Sequence, residues 1–145
     1  MNDAGEVREL SPVEMDIEYR CCATLRTRIA LGAVFKCRLT SREEVEARMN
    51  EFSRKRWDSQ PAAPSAGCMF KNPGMIPAGK LVDELGLKGF KVGGAMVSLE
   101  HGNFVTNDGT ATARDVLELV AQIQQRAKAA RGIELRMEVE LIGED

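Results

Sequence analysis

The stretch SAGCMFKNP, residues 65–73, sets one thiol, Cys68, between a small-residue turn and the polar pair Lys71 and Asn72, with Phe70 and Pro73 beside it. A thiol with an unperturbed pKa of about 8.5 is mostly protonated at neutral pH yet gives up its proton readily, so Cys68 reads as a nucleophile or an acid. An isolated cysteine is more often a small buried hydrophobe, and residue type alone leaves both readings open. Asn72 offers two donors and an acceptor, enough to orient a polar ligand, but an Asn-Pro turn accounts for it equally well. His101 is the single imidazole and lies in a turn sequence. Glu138 shares the polar face of a terminal alternating run with Glu134 and Glu140, where a solvated carboxylate is the ordinary reading.

Several chemistries are excluded by spacing. The four cysteines, Cys21, Cys22, Cys37 and Cys68, include no C-x-x-C pair, and one histidine does not complete the usual zinc sites, so free thiols and no metal are expected. Nothing local joins His101 to Cys68, and no papain-like or caspase-like motif surrounds the thiol. The glycine-rich GFKVGG, residues 89–94, matches neither the P-loop nor the dinucleotide-binding pattern, so no cofactor site is expected within the chain.

These residues must be positioned by a fold, and 145 residues with 43% hydrophobic and 29% charged side chains are enough to bury a core and fold as one unit. Twenty basic residues are spread among twenty-two acidic ones, leaving a net charge of -2 and no field that would draw nucleic acid or an anionic membrane. No apolar run is long enough to span a bilayer, and acidic residues occupy the N-terminus where a secretory signal would be basic, so a cytoplasmic location is expected.

Glu6–Leu10 reads as a short extended segment. From Arg28 to Leu39, Ile29, Leu31, Ala33, Phe35, Cys37 and Leu39 alternate with Lys36 and Arg38, the period of a half-buried strand. Ser41 and Glu44 form a capping-box pattern that predicts a helix over 42–55, with Val45, Met49 and Phe52 as its apolar stripe. A connector rich in Pro, Ala and Ser, residues 57–66, leads into the cysteine loop. Pro77–Leu85 reads as a short helix stopped by Gly86, and 89–98 and 103–106 as short strands around a turn at His101 and Gly102. Thr112 with Asp115 opens a helix carrying Val116, Leu119, Val120, Ile123 and Ala127 up to Arg131, with Gly132 as its stop. Ile133, Leu135, Met137, Val139 and Leu141 then alternate as a final strand. Helices and strands interleaved without regular βα alternation predict an α+β domain.

In this order, the blocks GEVREL, YR at Tyr19 and Arg20, QP, PSAGCMFKNP, AGKLVDELGLKG, VGGAMVS, HGNFVTN, ATARDVLELV and EVELIG resemble the C-terminal half of the UDP-N-acetylenolpyruvoylglucosamine reductases, flavoenzymes of peptidoglycan precursor synthesis. The resemblance covers nearly the whole chain. It implies that residues 1–145 are a C-terminal substrate-binding domain, and that the FAD-binding half belongs to a first part not contained in this sequence. FAD and NADPH are then cofactors of the complete enzyme, and none is expected on this chain alone.

The resemblance also implies a use for the cysteine loop. In the family, NADPH reduces the flavin, hydride passes to C3 of the enolpyruvyl group, and a side chain of a G-S-x-F-x-N-P loop protonates C2. Cys68 stands where the family usually has serine. Glu138, in the E-V-x-x-I-G ending, matches the carboxyl group that assists the enol intermediate. Tyr19, Arg56, Asn72 and His101 match substrate-side positions, the first two beside the UDP-sugar diphosphate. The implied partners are UDP-N-acetylglucosamine enolpyruvate and the FAD-binding half. A non-catalytic sugar-nucleotide-binding or interaction module, and a cysteine-dependent hydrolase or transferase, stand as alternatives.

Overall fold

The structure is a computed structural model that describes residues 1–74 and 76–143. Three helices and two antiparallel sheets make up an α+β protein, as the interleaved sequence pattern predicts. The sequence reading treats 1–145 as one domain, whereas the fold divides into two compact units, Met1–Ser41 and Arg42–Asp145.

The first unit is small and thinly buried. Its regular structure is a hairpin, β1 (Ile17–Glu18) with β2 (Cys21–Cys22), followed by a single 3-10 turn at Ala23–Arg26. The expected strand over 28–39 does not form, nor does an extended element pair at 6–10. Ile29 exchanges two backbone hydrogen bonds with Met1, each 2.8 Å, but no ladder continues along the alternating residues. Val34, Phe35 and Leu39 are 95%, 80% and 101% exposed. Period-two alternation needs both a ladder partner and a cover for its apolar face, and the described residues supply neither to 30–40.

The second unit opens with α1 (Arg42–Trp57), close to the predicted span. Its stripe is a correction: Val45, Met49, Phe52 and Trp57 are all exposed, and no residue of α1 is buried. Local terms hold the helix. Glu43 and Glu44 sit in the first turn and Arg54, Lys55 and Arg56 in the last, complementing the helix dipole, and Arg42–Glu46 (2.6 Å) and Glu51–Lys55 (2.5 Å) pair at i,i+4.

The core begins after the connector. β3 (Ser65–Cys68), β4 (Lys91–Val92), β5 (Ala95–Val97) and β6 (Phe104–Asn107) form an antiparallel sheet in the order β3-β6-β5-β4. The hairpin β4–β5 turns through Gly93 and Gly94, with Gly93 at φ 53 as a two-residue loop requires. α3 (Ala113–Arg131) packs on β4 and β5, and α2 (Ala78–Glu84) packs on α3. Leu119, Val120, Ile123 and Ala127 of α3 meet Ala78, Leu81 and Val82 of α2 in one cluster, each large side chain contributing about 1.5–3 kcal/mol by leaving water.

Helix ends follow their local signals. Thr112 Oγ1 accepts from the Asp115 N–H (3.1 Å) while the Thr112 N–H donates to Asp115 Oδ2 (2.8 Å), a complete capping box, and Gly132 is left-handed at φ 65. At the end of α2, Gly86 (φ 67) donates to Asp83 O and Leu87 to Val82 O, a Schellman stop with Leu87 and Val82 both buried. The predicted last strand is reduced to one antiparallel bridge, Phe70 with Met137. Its alternation is nevertheless real: Ile133, Leu135, Met137 and Val139 all join the core, while Leu141 is exposed.

Candidate functional site

Cys68 is the last residue of β3, paired with Phe104 of β6, and its half-buried sulfur is a thiol. The register between β3 and β6 shifts between Ser65 and Cys68, pairing resumes at Cys68 with Phe104, and the strand ends as the chain enters the Met69–Pro73 loop. From there the backbone is held from two sides. Asn103 takes the Met69 N–H on its carbonyl oxygen (2.7 Å), and its side-chain amide accepts from the Phe70 N–H (2.9 Å) and donates to Phe70 O (2.8 Å). On the other side the Lys71 N–H donates to Arg136 O (2.9 Å) and the Glu138 N–H to Met69 O (2.8 Å). Glu138 is therefore anchored to the residue that follows Cys68.

The turn that presents Asn103 is itself locked. Ser98, fully buried, accepts the Glu100 and His101 N–H groups and donates to Glu100 Oε2 (2.5 Å), a bond that holds the Glu100 carboxyl below the usual glutamate range. His101 Nδ1 accepts the Asn103 N–H (3.1 Å), which puts the proton of the neutral ring on Nε2, and the ring packs edge-on against Phe104 at 4.9 Å. Gly102 lies against α2, where an added Cβ would come within 2.4 Å of Gly79 O. Asn72 returns the chain to the same helix: its Oδ1 accepts the Ala78 N–H (2.9 Å) and satisfies one of the unpaired donors at the α2 start.

Four of the six sequence-predicted site residues, Cys68, Asn72, His101 and Glu138, thus belong to one hydrogen-bonded cluster where the β3 end, the α2 start and the terminal segment meet. Asn72 and His101 each spend one polar atom on backbone there. Arg56 lies in the last turn of α1 with an exposed side chain. Tyr19 belongs to the first unit, at the tip of the β1–β2 hairpin, with the Arg20 guanidinium 5.7 Å from its ring centre and Arg20 in the left-handed region at φ 56. The residue missed by sequence reasoning is Asn103, only 3% exposed, whose sole signal is an amide placed at the entry of an apolar strand.

A match to a family model described as UDP-N-acetylenolpyruvoylglucosamine reductase, C-terminal domain, spans residues 60–142, which includes the whole of this cluster. The chain belongs to this reductase family. The reductase of Syntrophomonas wolfei is 41% identical over 97% of the chain, and that of Bacillus licheniformis 44% identical over 97%. The chain spans 48% of the length of the first relative and 78% of the second. Among solved structures, UDP-N-acetylenolpyruvylglucosamine reductase from Thermus caldophilus is similar with a TM-score of 0.60 and 50% identity, over 72% of this chain and 37% of that one. The reductase family model leaves residues 1–59 outside its span, and these contain no fully buried residue.

Within this reductase-type fold the glycine-rich turn does not fit a pyrophosphate. The Asp115 carboxylate lies against the turn, where a Cβ at Gly93 would meet it at 2.4–2.6 Å, and a Cβ at Gly94 would meet Ala111 N at 2.3 Å and Asp108 Oδ1 at 2.6 Å. A phosphate there would displace one carboxylate and face another. Among the described residues there is no cluster of metal-ligating side chains and no helix long and apolar enough to cross a membrane.

Proposed function

We propose that residues 1–145 form the C-terminal, substrate-binding and proton-donating part of a flavin-dependent, NADPH-using reductase that converts UDP-N-acetylglucosamine enolpyruvate to UDP-N-acetylmuramate in the cytoplasm. FAD is assigned to a separate, FAD-binding half that acts with this chain, where it supplies the hydride to the enolpyruvyl group. The chain alone is expected to be inactive. The observation that supports the reading is the backbone hydrogen bond from the Glu138 N–H to Met69 O, which ties the segment of Glu138 to the Cys68 loop in a chain of this family.

Cys68 is the proton donor. A thiol is several units more acidic than the serine hydroxyl usual in the family, so it delivers a proton to a carbanionic C2 at least as readily. Glu138 assists the enol intermediate as a hydrogen-bonding acid. Tyr19 and Arg56 bind the diphosphate of the UDP-sugar, where a phenol and a guanidinium suit anionic oxygens. Asn72 and His101 bind on the substrate side through the polar atoms that take no hydrogen bond among the described residues: the Asn72 side-chain nitrogen and His101 Nε2.

The test is made on the chain joined to the flavin-binding half of a relative. Cys68→Ser is expected to retain substantial turnover, whereas Cys68→Ala slows oxidation of the reduced flavin by substrate by roughly a hundredfold or more. Reduction of the flavin by NADPH is unchanged in both. Parental turnover by the alanine variant would make Cys68 structural and remove the reading.

A further inference from the structure

We propose that Asn103 is the positioning residue of this site: its side-chain amide stands in for a missing β-strand neighbour and fixes the loop that carries Cys68 against the segment that carries Glu138. The inference rests on the roles proposed above for those two residues.

The argument starts from backbone accounting. A buried peptide group left without a partner costs roughly as much as a lost hydrogen bond, so each N–H and C=O of the loop has to be satisfied. The β3–β6 register shifts between Ser65 and Cys68, pairing resumes at Cys68 with Phe104, and the last backbone ladder bond is from the Met69 N–H to Asn103 O. Met69 and Phe70 are nonetheless 2% and 1% exposed, too buried for water to replace the ladder. Asn103 replaces it. One residue past the last ladder bond, its side-chain amide forms a two-bond ring with the N–H and C=O of Phe70, the pairing a peptide group of an adjacent strand would make. The amide is the one neutral side-chain group that offers a donor and an acceptor in this geometry.

Asn103 is itself held tightly. Its N–H is fixed by His101 Nδ1, and its neighbour Gly102 lies against the backbone of α2. The opposite edge of the loop carries the Met69 O to Glu138 N–H bond and the Phe70–Met137 bridge. Moving Phe70 thus displaces Cys68 two residues before it and Glu138 across the bridge together. Asn103 touches neither reacting group, and acts through the backbone that places both.

Two variants separate this role from general stability. Asn103→Ala removes the ring, while Asn103→Asp keeps the shape and the acceptor for the Phe70 N–H but turns a second oxygen toward Phe70 O. The first readout is alkylation of Cys68 by iodoacetamide in the 145-residue chain, followed by peptide mass spectrometry, with the exposed Cys37 as internal reference. Either Asn103 variant is expected to raise the Cys68 rate about tenfold relative to Cys37, as local opening of the loop requires. Ile123→Val, a core change on α3 in the cluster that also holds Phe70 but one that removes none of the loop hydrogen bonds, is expected to leave it within about twofold. Asn103→Asp serves if the alanine variant does not fold.

The second readout uses the chain joined to a relative's flavin-binding half. The limiting rate of flavin oxidation by substrate is expected to fall at least tenfold in Asn103→Asp, while the half-saturating substrate concentration and the flavin reduction rate stay within about twofold. An unchanged Cys68 rate, or an equal rise in Ile123→Val, overturns the positioning role, and so does an unchanged limiting rate in a protein where Cys68→Ala is slow. If Cys68→Ala is itself as fast as the parent, the functional reading fails, and the alkylation result still decides whether Asn103 holds the loop.

Discussion

Gly102→Ala tests the close approach on which the candidate site is built. The turn at 98–103 meets α2 where Gly102 is buried, and an added Cβ would lie 2.4 Å from Gly79 O and 3.3 Å from Asp83 N. Both obstacles are helix backbone, so no rotamer change relieves them and the turn has to move by several tenths of an ångström. Overpacking of this kind costs about 1–3 kcal/mol. Gly102 does not occupy the left-handed region, so alanine recovers about 0.4–1 kcal/mol from the reduced freedom of the unfolded chain. The expected net loss is about 1–2 kcal/mol, and at about 4–8 °C per kcal/mol for a domain near 100 residues it lowers the melting temperature by roughly 5–15 °C. Thermal unfolding followed by circular dichroism, with urea titration at 25 °C, measures it. Gly32→Ala is the control, since nothing lies within 4 Å of that position and its φ is ordinary; a change within about 0.5 kcal/mol is expected. A Gly102→Ala protein that melts within about 2 °C of the parent would show that the turn and α2 are not in tight contact, and would undercut the argument that Gly102 fixes Asn103.

Two further outcomes are expected. In the chain joined to a flavin-binding half, Glu138→Gln slows flavin oxidation by substrate by roughly a hundredfold, the scale of an acid's contribution, while Glu134→Gln and Glu140→Gln do not; equal rates for the three in stopped-flow reoxidation would remove Glu138 from the mechanism. The structure separates them, since Glu134 is exposed and paired with Lys128 at 2.7 Å, Glu140 is exposed, and Glu138 is half-buried beside the loop. The Asp115 carboxyl is held below the usual aspartate range chiefly by the Thr112 N–H, so its charged form favours the folded state; that contribution is whole above about pH 4 and is lost as pH falls through the folded pKa. Asp115→Asn is therefore expected to lose less stability than the parent between pH 5 and pH 3 in urea titrations, and an identical acid limb would contradict the capping assignment.

What the sequence made legible is what local physics decides. The caps of α3 and the Gly86 stop are set by residues within a few positions of one another, and each forms as its pattern says, whereas the single strand expected over 89–98 folds back at Gly93-Gly94 into a hairpin. The stripe of α1 and the alternation at 28–39 are also genuine patterns, but periodicity reports only that a face is suited to burial. It names neither the cover nor the ladder partner, and no described residue buries Phe35, Leu39 or Phe52. Asn103 was illegible for the opposite reason. Its role arises where pairing between strands far apart in sequence ends, which leaves no periodic trace, and its amide looks like any polar residue at a strand entry.

The terminal segment joins these two lessons. Its alternation assigned the buried face correctly, with Leu135 in the core and Glu138 on the other side, yet the strand it implied is one bridge with two flanking hydrogen bonds. A strand within a sheet is held along both edges and keeps its place when one neighbour shifts. On one edge of the loop Met69 O accepts the Glu138 N–H and the Lys71 N–H donates to Arg136 O, and on the other edge Met69 and Phe70 are bonded to Asn103. Cys68 and Glu138 are therefore not placed independently. A change that relaxes the loop moves both groups at once, so single substitutions of the two are expected to be non-additive, with the double variant losing much less than the product of the two single losses.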